Sequence, residues 1–338
     1  MKILFNCGLP FALAHGGQAI QLERTMAALA QIGVIAEPLR WWDAAQTGDL
    51  IHYAGIMPLE QIHFARQKKI KVVIANLLTA QGSQNALQRG VRRAFRWGVE
   101  HFTPRLVSQS FGWESYRSAD ALIALTAWEK HLMEYKFGAT PEKVFVVANG
   151  VEDPFFAAPK MPRGEWLVCT ATITERKRVL ELAQAAVAAQ TPVWIIGNAY
   201  AANDAYAEKF FALARVNPKF IRYEGGVNDR VALAKIYRAA RGFVLLSNME
   251  SLSLSALEAA ACECPLLLSD LPWARSAFEV GTQFCPVTDS VARTATHLKI
   301  FYADAPKLPV PPRPANWIEI AGQLKDVYTQ VLAGGPRA

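Results

Sequence analysis

Short apolar runs alternate along this chain with longer stretches whose apolar positions recur at helical spacing, and the alternation repeats in both halves. The run Lys2-Ile-Leu-Phe-Asn6 ends in Cys7-Gly8 and predicts a strand. A loop holding Gly16-Gly17 follows, then an amphipathic helix from Gln18 to about Gln31 before Gly33. The same reading predicts a strand over Asp49–Tyr53, a helix over Pro58–Lys69 and a strand over Ile70–Ala75. It continues with a buried strand over Ala119–Leu125, a helix over Trp128–Phe137 and a strand over Val144–Val147 that reaches the turn pair Asn149-Gly150. Pro154, Pro159, Pro162 and Gly164 interrupt regular structure, so 154–164 is expected to be a linker. The second half restarts with strands over Glu165–Thr170, Pro192–Ile196, Phe220–Tyr223, Gly242–Leu246 and Pro265–Leu268. Helices are expected over about Arg178–Ala189, Tyr206–Val216, Val231–Ala240 and Ser255–Ala261. A proline-rich tail over Ala305–Pro314 leads to a last helix, Trp317–Leu332.

Strands alternating with helices mean parallel sheets covered on both faces, hence an α/β chain. The expected organisation is two Rossmann-like domains, 1–153 and 165–314, joined by the linker and followed by a helical segment, 315–338, that packs back on the first domain. Two such domains place a ligand cleft between them, at the carboxyl ends of their strands.

Composition narrows the class. With 338 residues, 52% hydrophobic and 19% charged, the chain can bury two cores and is not a disordered or low-complexity sequence. Its five cysteines (Cys7, Cys169, Cys262, Cys264, Cys285) are odd in number and scattered, which suits a reducing, cytoplasmic compartment better than a disulfide framework. Cys262 and Cys264 have no histidine or cysteine at metal-ligand spacing and read as small buried residues. No uncharged run approaches the roughly 18–20 apolar residues of a membrane span. Ala12-Leu13-Ala14 could pass for a signal-peptidase site, but Asn6, Gly8 and Pro10 break the apolar run before it, so a first strand is expected there.

The segment richest in chemistry is Asn248-Met-Glu250-Ser-Leu-Ser-Leu-Ser-Ala-Leu-Glu258, directly after the buried strand Phe243–Leu246. A strand that turns through polar residues into a helix leaves backbone N–H groups able to meet a phosphate or sugar oxygen. Read by themselves, Glu250 also suits a helix-capping acid and Glu258 a solvated face.

With these two glutamates at the spacing of an E-x7-E motif, the chain resembles the retaining GT-B glycosyltransferases of family 4. Other segments agree in order and distance: Gly16-Gly17 with the early glycine loop, Ala119–Ala124 with a first-domain strand, and Val147-Ala-Asn-Gly-Val-Glu152 with the linker signature. Tyr237–Ala240 and Ala261–Asp270 match as well. The resemblance implies transfer of a sugar from a nucleotide-sugar donor with retention at the anomeric carbon, with no metal or other cofactor. It implies that Glu258 holds the ribose hydroxyls, that Glu250 contacts the donor sugar, and that the N–H groups of Leu252, Ser253, Leu254 and Ser255 meet sugar hydroxyls and the distal phosphate. Gly226, Val227 and Asn228 fall where the family lines the base. The family has a glycine near Ser253, so this loop is stiffer.

The leaving diphosphate develops negative charge, which without a metal requires Lys or Arg. Lys177 matches the family's phosphate lysine, but the partner arginine falls on Ala171 or Thr172; Arg176 or Arg178 could replace it, or both could be a solvated helix start. Relatives also carry a histidine where Asn76-Leu77-Leu78 stand. The acceptor-side candidates are therefore His15, beside the glycine loop, and His52, at a strand end. The implied enzyme builds a cell-surface glycan or glycolipid, taking a glycan or lipid-linked acceptor. The competing reading is a GT-B-fold protein that binds nucleotide or glycan without turnover.

Charge adds one feature. Of the net +7, residues 1–150 hold 16 Lys/Arg against 11 Asp/Glu and the remainder 20 against 18, and from Gln61 to Val99 eight Lys/Arg stand with no acid. Arg89, Arg92, Arg93 and Arg96 share one helical face, with Leu87, Val91, Ala94, Phe95 and Val99 opposite. One reading is a surface helix whose apolar face packs on the core. The other is a cationic face for anionic lipid or a phosphorylated acceptor, with Phe102, Phe111 and Trp113 near, placing the protein at the inner face of a membrane. No nucleic-acid-binding motif accompanies the charge.

Overall fold

The structure, a computed structural model, describes residues 1–7, 16–84, 86–104, 111–157 and 159–334. Among the described residues the chain forms two compact units, 1–150 with 315–338, and 151–314.

The first unit is one parallel sheet in the order β2-β1-β3-β4-β5-β6. Its strands are β1 (Lys2–Cys7), β2 (Ile35–Pro38), β3 (Leu50–Ala54), β4 (Lys71–Ile74), β5 (Ala121–Ala124) and β6 (Val144–Val146). Between them run α1 (Gly17–Gln31), α2 (Leu59–Gln67), α3 (Thr79–Gly82), α4 (Ala86–Phe102), α5 (Trp113–Ser118) and α6 (Ala127–Phe137). The continuous apolar runs predicted as strands are those buried on both faces: every residue of β5 is inside, with Leu122 and Ala124 packed in a core with Leu4, Ile74, Leu132 and Val144. The edge strand β2 carries only Ile and Ala against Glu and Pro and escapes a periodicity reading. Thr126 caps α6 by accepting from Glu129 N, and the buried Glu129 accepts from Leu78 N and Leu125 N at 3.1 and 2.8 Å.

The second unit repeats the plan with the order β12-β11-β10-β7-β8-β9, all neighbours parallel. After the short helix α7 (Asp153–Ala157) come β7 (Leu167–Thr170), α8 (Val179–Ala189), β8 (Val193–Ile196), α9 (Ala205–Val216), β9 (Ile221–Tyr223), α10 (Arg230–Ala239) and β10 (Gly242–Leu245). Then follow α11 (Leu254–Ala261), β11 (Leu266–Ser269), α12 (Pro272–Ala277), β12 (Thr282–Cys285) and α13 (Val291–Asp304). The chain winds outward from β7 to β9, returns to the other side of β7 with β10, and winds outward again. That reversal places the loops after β7 and β10 side by side at a topological switch point.

The final helix, α14 (Trp317–Leu332), belongs to the first unit and lies on α1. A capping box of Asn316 and Glu319 starts it, and its Trp317 backbone passes so close to Gly150 that a Cβ there would lie 2.7 Å from it. The expected linker is not a free connection. Pro154 is the second residue of α7, where no intrahelical N–H is required, and Phe155 is buried, with its carbonyl accepting from Cys262 Sγ at 3.3 Å. Arg163 donates to the carbonyls of Tyr237, Arg238, Ala240, Cys262 and Glu263, fastening the segment to the second unit. No helix of the described residues is long and apolar enough to cross a membrane.

Candidate active site

The switch point of the second sheet gathers charge. After β7 the chain makes a single turn over Glu175–Lys177 and then bends through Arg178, whose φ of 52° lies in the left-handed region. This bend turns Lys177 toward the loop after β10, where Asn248 N donates to Arg176 O at 2.8 Å and locks the two loops together. Lys177 Nζ and Arg176 both reach Glu250 Oε1, the arginine at 3.1 Å, and Arg176 also donates to Met249 O. Glu250 is buried and caps no helix; Ser253 does that, its Oγ accepting from Ala256 N. The first two N–H groups of α11, from Leu254 and Ser255, have no helical carbonyl to meet. Leu252 and Ser253 are buried, and Ser253 and Ser255 pair hydroxyls at 3.0 Å.

Of the two arginines offered as the second phosphate cation, the structure puts Arg176 beside Lys177 and directs Arg178 elsewhere. Arg178 is buried, and its guanidinium donates to Val287 O at 2.9 Å, holding the segment after β12. Its left-handed backbone points the side chain away from Glu250, which spacing along the sequence does not reveal.

Glu258, one turn further along α11, is buried rather than solvated. It meets Arg230, and Tyr237 donates to its Oε2 at 3.5 Å, while Tyr237 shares a hydrogen bond with Thr170. Burial pushes the Glu258 carboxyl up to about 7, with Arg230 pulling against it. Arg230 is the residue that sequence reading passed over. It opens α10 directly after the N-cap Asp229, pairs also with Glu152 at 2.9 Å, and lies over the Phe155 ring at 4.9 Å. Burial opposes its charge, but the Glu258 and Glu152 carboxylates hold its pKa above the ordinary value. The available signal was an arginine at a capped helix start, one element away from the acid it serves.

Gly226, Val227 and Asn228 follow β9, on the far side of β8 from the switch point, with Gly226 N donating to Asn198 Oδ1 at 3.0 Å. Gly197, after β8, is required: its φ is 153° and a Cβ would fall 1.9 Å from Ala171 O. Among the described residues, Cys285, Asp289 and His297 form a group close enough to share a metal ion, and they include none of these side chains.

In the first unit Gly16 caps α1 and Gly17 begins it, with open space where a Gly16 side chain would go. His15 lies outside the described residues. His52, the other acceptor-side candidate, lies inside the first unit. It is buried, stacked on Phe5 at 4.6 Å, bonded through Nδ1 to Tyr328 OH at 2.7 Å, and lowered by burial to about 4. It ties β3 to α14. Asn76, standing where relatives carry histidine, donates to Tyr116 OH at 2.6 Å.

The reading of the arginine helix as packing its apolar face on the core is corrected. Arg89 lies over Trp128 at 4.8 Å, Arg93 over Tyr135 at 4.3 Å, and Arg96 donates to Lys136 O at 2.7 Å, so these three side chains meet α6, with Arg89 and Arg96 half-buried and Arg92 and Arg93 exposed. Guanidinium groups stack on aromatic faces and carbonyls at little desolvation cost, and the α6 surface supplies both. The apolar face is consequently the outward one, apart from Val99, which is buried.

Residues 164–304 match the family model described as glycosyl transferases group 1. No curated protein matches the chain. Among solved structures it resembles sucrose-phosphate synthase from Thermosynechococcus elongatus, at 17% identity over 99% of this chain and 100% of that one, with a TM-score of 0.71. It also resembles Anabaena HepE in complex with UDP and glucose, at 13% identity over 97% and 99%, TM-score 0.66. A Rickettsia africae glycosyltransferase aligns at 9% identity over 98% of each chain, TM-score 0.67. These likenesses establish the fold as the two-unit α/β architecture of GT-B glycosyltransferases.

Proposed function

We propose that this protein is a glycosyltransferase that takes a sugar from a nucleoside-diphosphate donor with retention of anomeric configuration. The observation that carries the reading is the meeting of Lys177, Arg176 and Glu250 at the switch point, beside the start of α11. Two cations next to unpaired backbone N–H groups suit a diphosphate, and they supply the counter-charge that a departing diphosphate develops. The match of residues 164–304 to the glycosyl transferases group 1 model supports it, as does the HepE neighbour bound to UDP and glucose.

Each residue then has a part. Glu250 holds the two cations in position; when donor phosphates engage them, its carboxylate accepts hydrogen bonds from the sugar hydroxyls. Arg230 favours the ionised form of Glu258, so that the buried carboxylate accepts from the ribose hydroxyls. Arg176 serves as the second phosphate cation in place of the arginine missing at Ala171 or Thr172. The N–H groups of Leu254 and Ser255 meet the distal phosphate, and Gly226, Val227 and Asn228 line the base. The donor set calls for no metal. The acceptor is a glycan or a lipid-linked glycan, and the setting is cell-surface polysaccharide or glycolipid synthesis in the cytoplasm.

The test is incubation with UDP-, GDP- and ADP-hexoses and glycan or lipid-linked acceptors. Expected is nucleoside diphosphate release with one donor class, lost in Glu250→Ala and Lys177→Ala, with a product of unchanged anomeric configuration. Tight nucleotide binding with no turnover of any donor would leave a binding protein instead.

A further inference from the structure

The outward face of α4 fits no soluble surface. Leu87, Val91, Phe95 and Phe102 form a single stripe along it, 77%, 61%, 56% and 78% exposed. Gly90, Ala94 and Gly98 fill the gaps with small residues, so no polar side chain divides the stripe. It continues beyond the helix: Phe95 meets Phe111 edge-on at 5.9 Å, Phe111 stacks on Trp113 at 4.6 Å, and Ile56, itself exposed, lies against Gly112. A contiguous exposed apolar patch of this kind marks an interaction surface.

The flanks indicate what covers it. On one side are Trp97 and His101, stacked at 4.7 Å, and on the other Arg92, exposed. Arg89 and Arg96 lie behind, against α6, Arg93 reaches over Tyr135 but stays exposed, and the sequence from Gln61 to Val99 has no acid. An anionic lipid surface matches each part: acyl chains for the stripe, phosphates for the exposed Arg92 and Arg93, and an interfacial zone that suits Trp97.

We propose that α4, with Phe111 and Ile56, inserts as an in-plane amphipathic helix into the outer acyl region of an anionic bilayer leaflet. The arginines that meet α6 make the helix a rigid blade, because their stacking on Trp128 and Tyr135 fixes which face is presented. This proposal is independent of the donor chemistry, since vesicle binding is measured without turnover.

The full chain is floated with vesicles of phosphatidylcholine alone and of an equal mixture of phosphatidylcholine and phosphatidylglycerol. The expected result is recovery with the anionic vesicles only. The variant Leu87→Ser/Val91→Ser/Phe95→Ser, whose altered side chains are exposed and whose fold is checked by circular dichroism, should lose at least about tenfold in partitioning. Arg92→Gln should lose about fivefold. Recovery unchanged in the triple variant, equal recovery with neutral vesicles, or no recovery at all would overturn the proposal. So would a concentration-dependent dimer in sedimentation that the triple variant abolishes while wild type ignores vesicles, which would make the stripe a contact between copies.

Discussion

Replacing Glu258 with Gln should remove a pH dependence from the second unit. Burial raises its carboxyl from 4.5 to about 7, so between those values the folded state holds a proton that the unfolded chain releases. A raised carboxyl therefore contributes stability that is fully present below about pH 4.5 and lost as pH rises through 7. At about 1.4 kcal/mol per unit, the shift amounts to about 3 kcal/mol across that window. Gln keeps the shape and can still meet Arg230 and Tyr237 but does not titrate. Native-state hydrogen exchange of α10 and α11 from pH 4.5 to 8 reads the local stability directly. Wild type should lose about 3 kcal/mol relative to Glu258→Gln on going up through the window, and Arg230→Gln should push the loss to higher pH, because the cation that opposes protonation is gone. Curves for wild type and Glu258→Gln that run parallel would refute a carboxyl whose pKa burial raises.

His52 should act with the opposite sign in the first unit: its pKa falls from 6.5 to about 4, so its contribution is present above pH 6.5 and is lost, by roughly 3 kcal/mol, as pH falls through 4, with His52→Gln flattening exchange from β3 and α14. Lys177→Ala should lower turnover by about a hundredfold or more, because it loses charge stabilisation in the transition state, and a kinetic assay with saturating donor checks it. Gly197→Ala should destabilise the second unit by about 2–4 kcal/mol through the overlap with Ala171 O, seen as a lower melting temperature. Arg163→Ala should cost about 1–3 kcal/mol by leaving the carbonyls it bridges without their donor, read as earlier urea unfolding of 151–314.

The fold was legible where burial imposes a pattern. Leu122, Val193 and Leu267 sit in runs that are apolar on both faces, and such runs become parallel strands under helices. The edge strand β2 and the short helix α7 were not, since neither buries enough to leave a periodicity. Lys177 and Glu250 were readable because each sits at a strand-to-helix transition, and parallel topology brings such transitions to one sheet edge. The choice between Arg176 and Arg178 was not legible, because a left-handed backbone residue turns the Arg178 side chain to Val287 O and away from Glu250. The α4 orientation was hidden for a related reason: composition separates its two faces, but only the surface of α6, with Trp128, Tyr135 and the Lys136 carbonyl, decides that the arginine side faces it. Arg230 and Glu258 meet through α10 and α11, a tertiary contact that has no local trace.

The measurement closest to the centre of this account is calorimetric titration of UDP, GDP and ADP into wild type, Lys177→Ala and Glu258→Ala. One nucleotide should bind wild type with a clear preference for its base, and the binding should weaken at least about tenfold in each variant as a phosphate or a ribose contact is lost. Absence of binding by all three nucleotides, or equal affinity in wild type and Lys177→Ala, would contradict a donor site at the switch point of the second sheet.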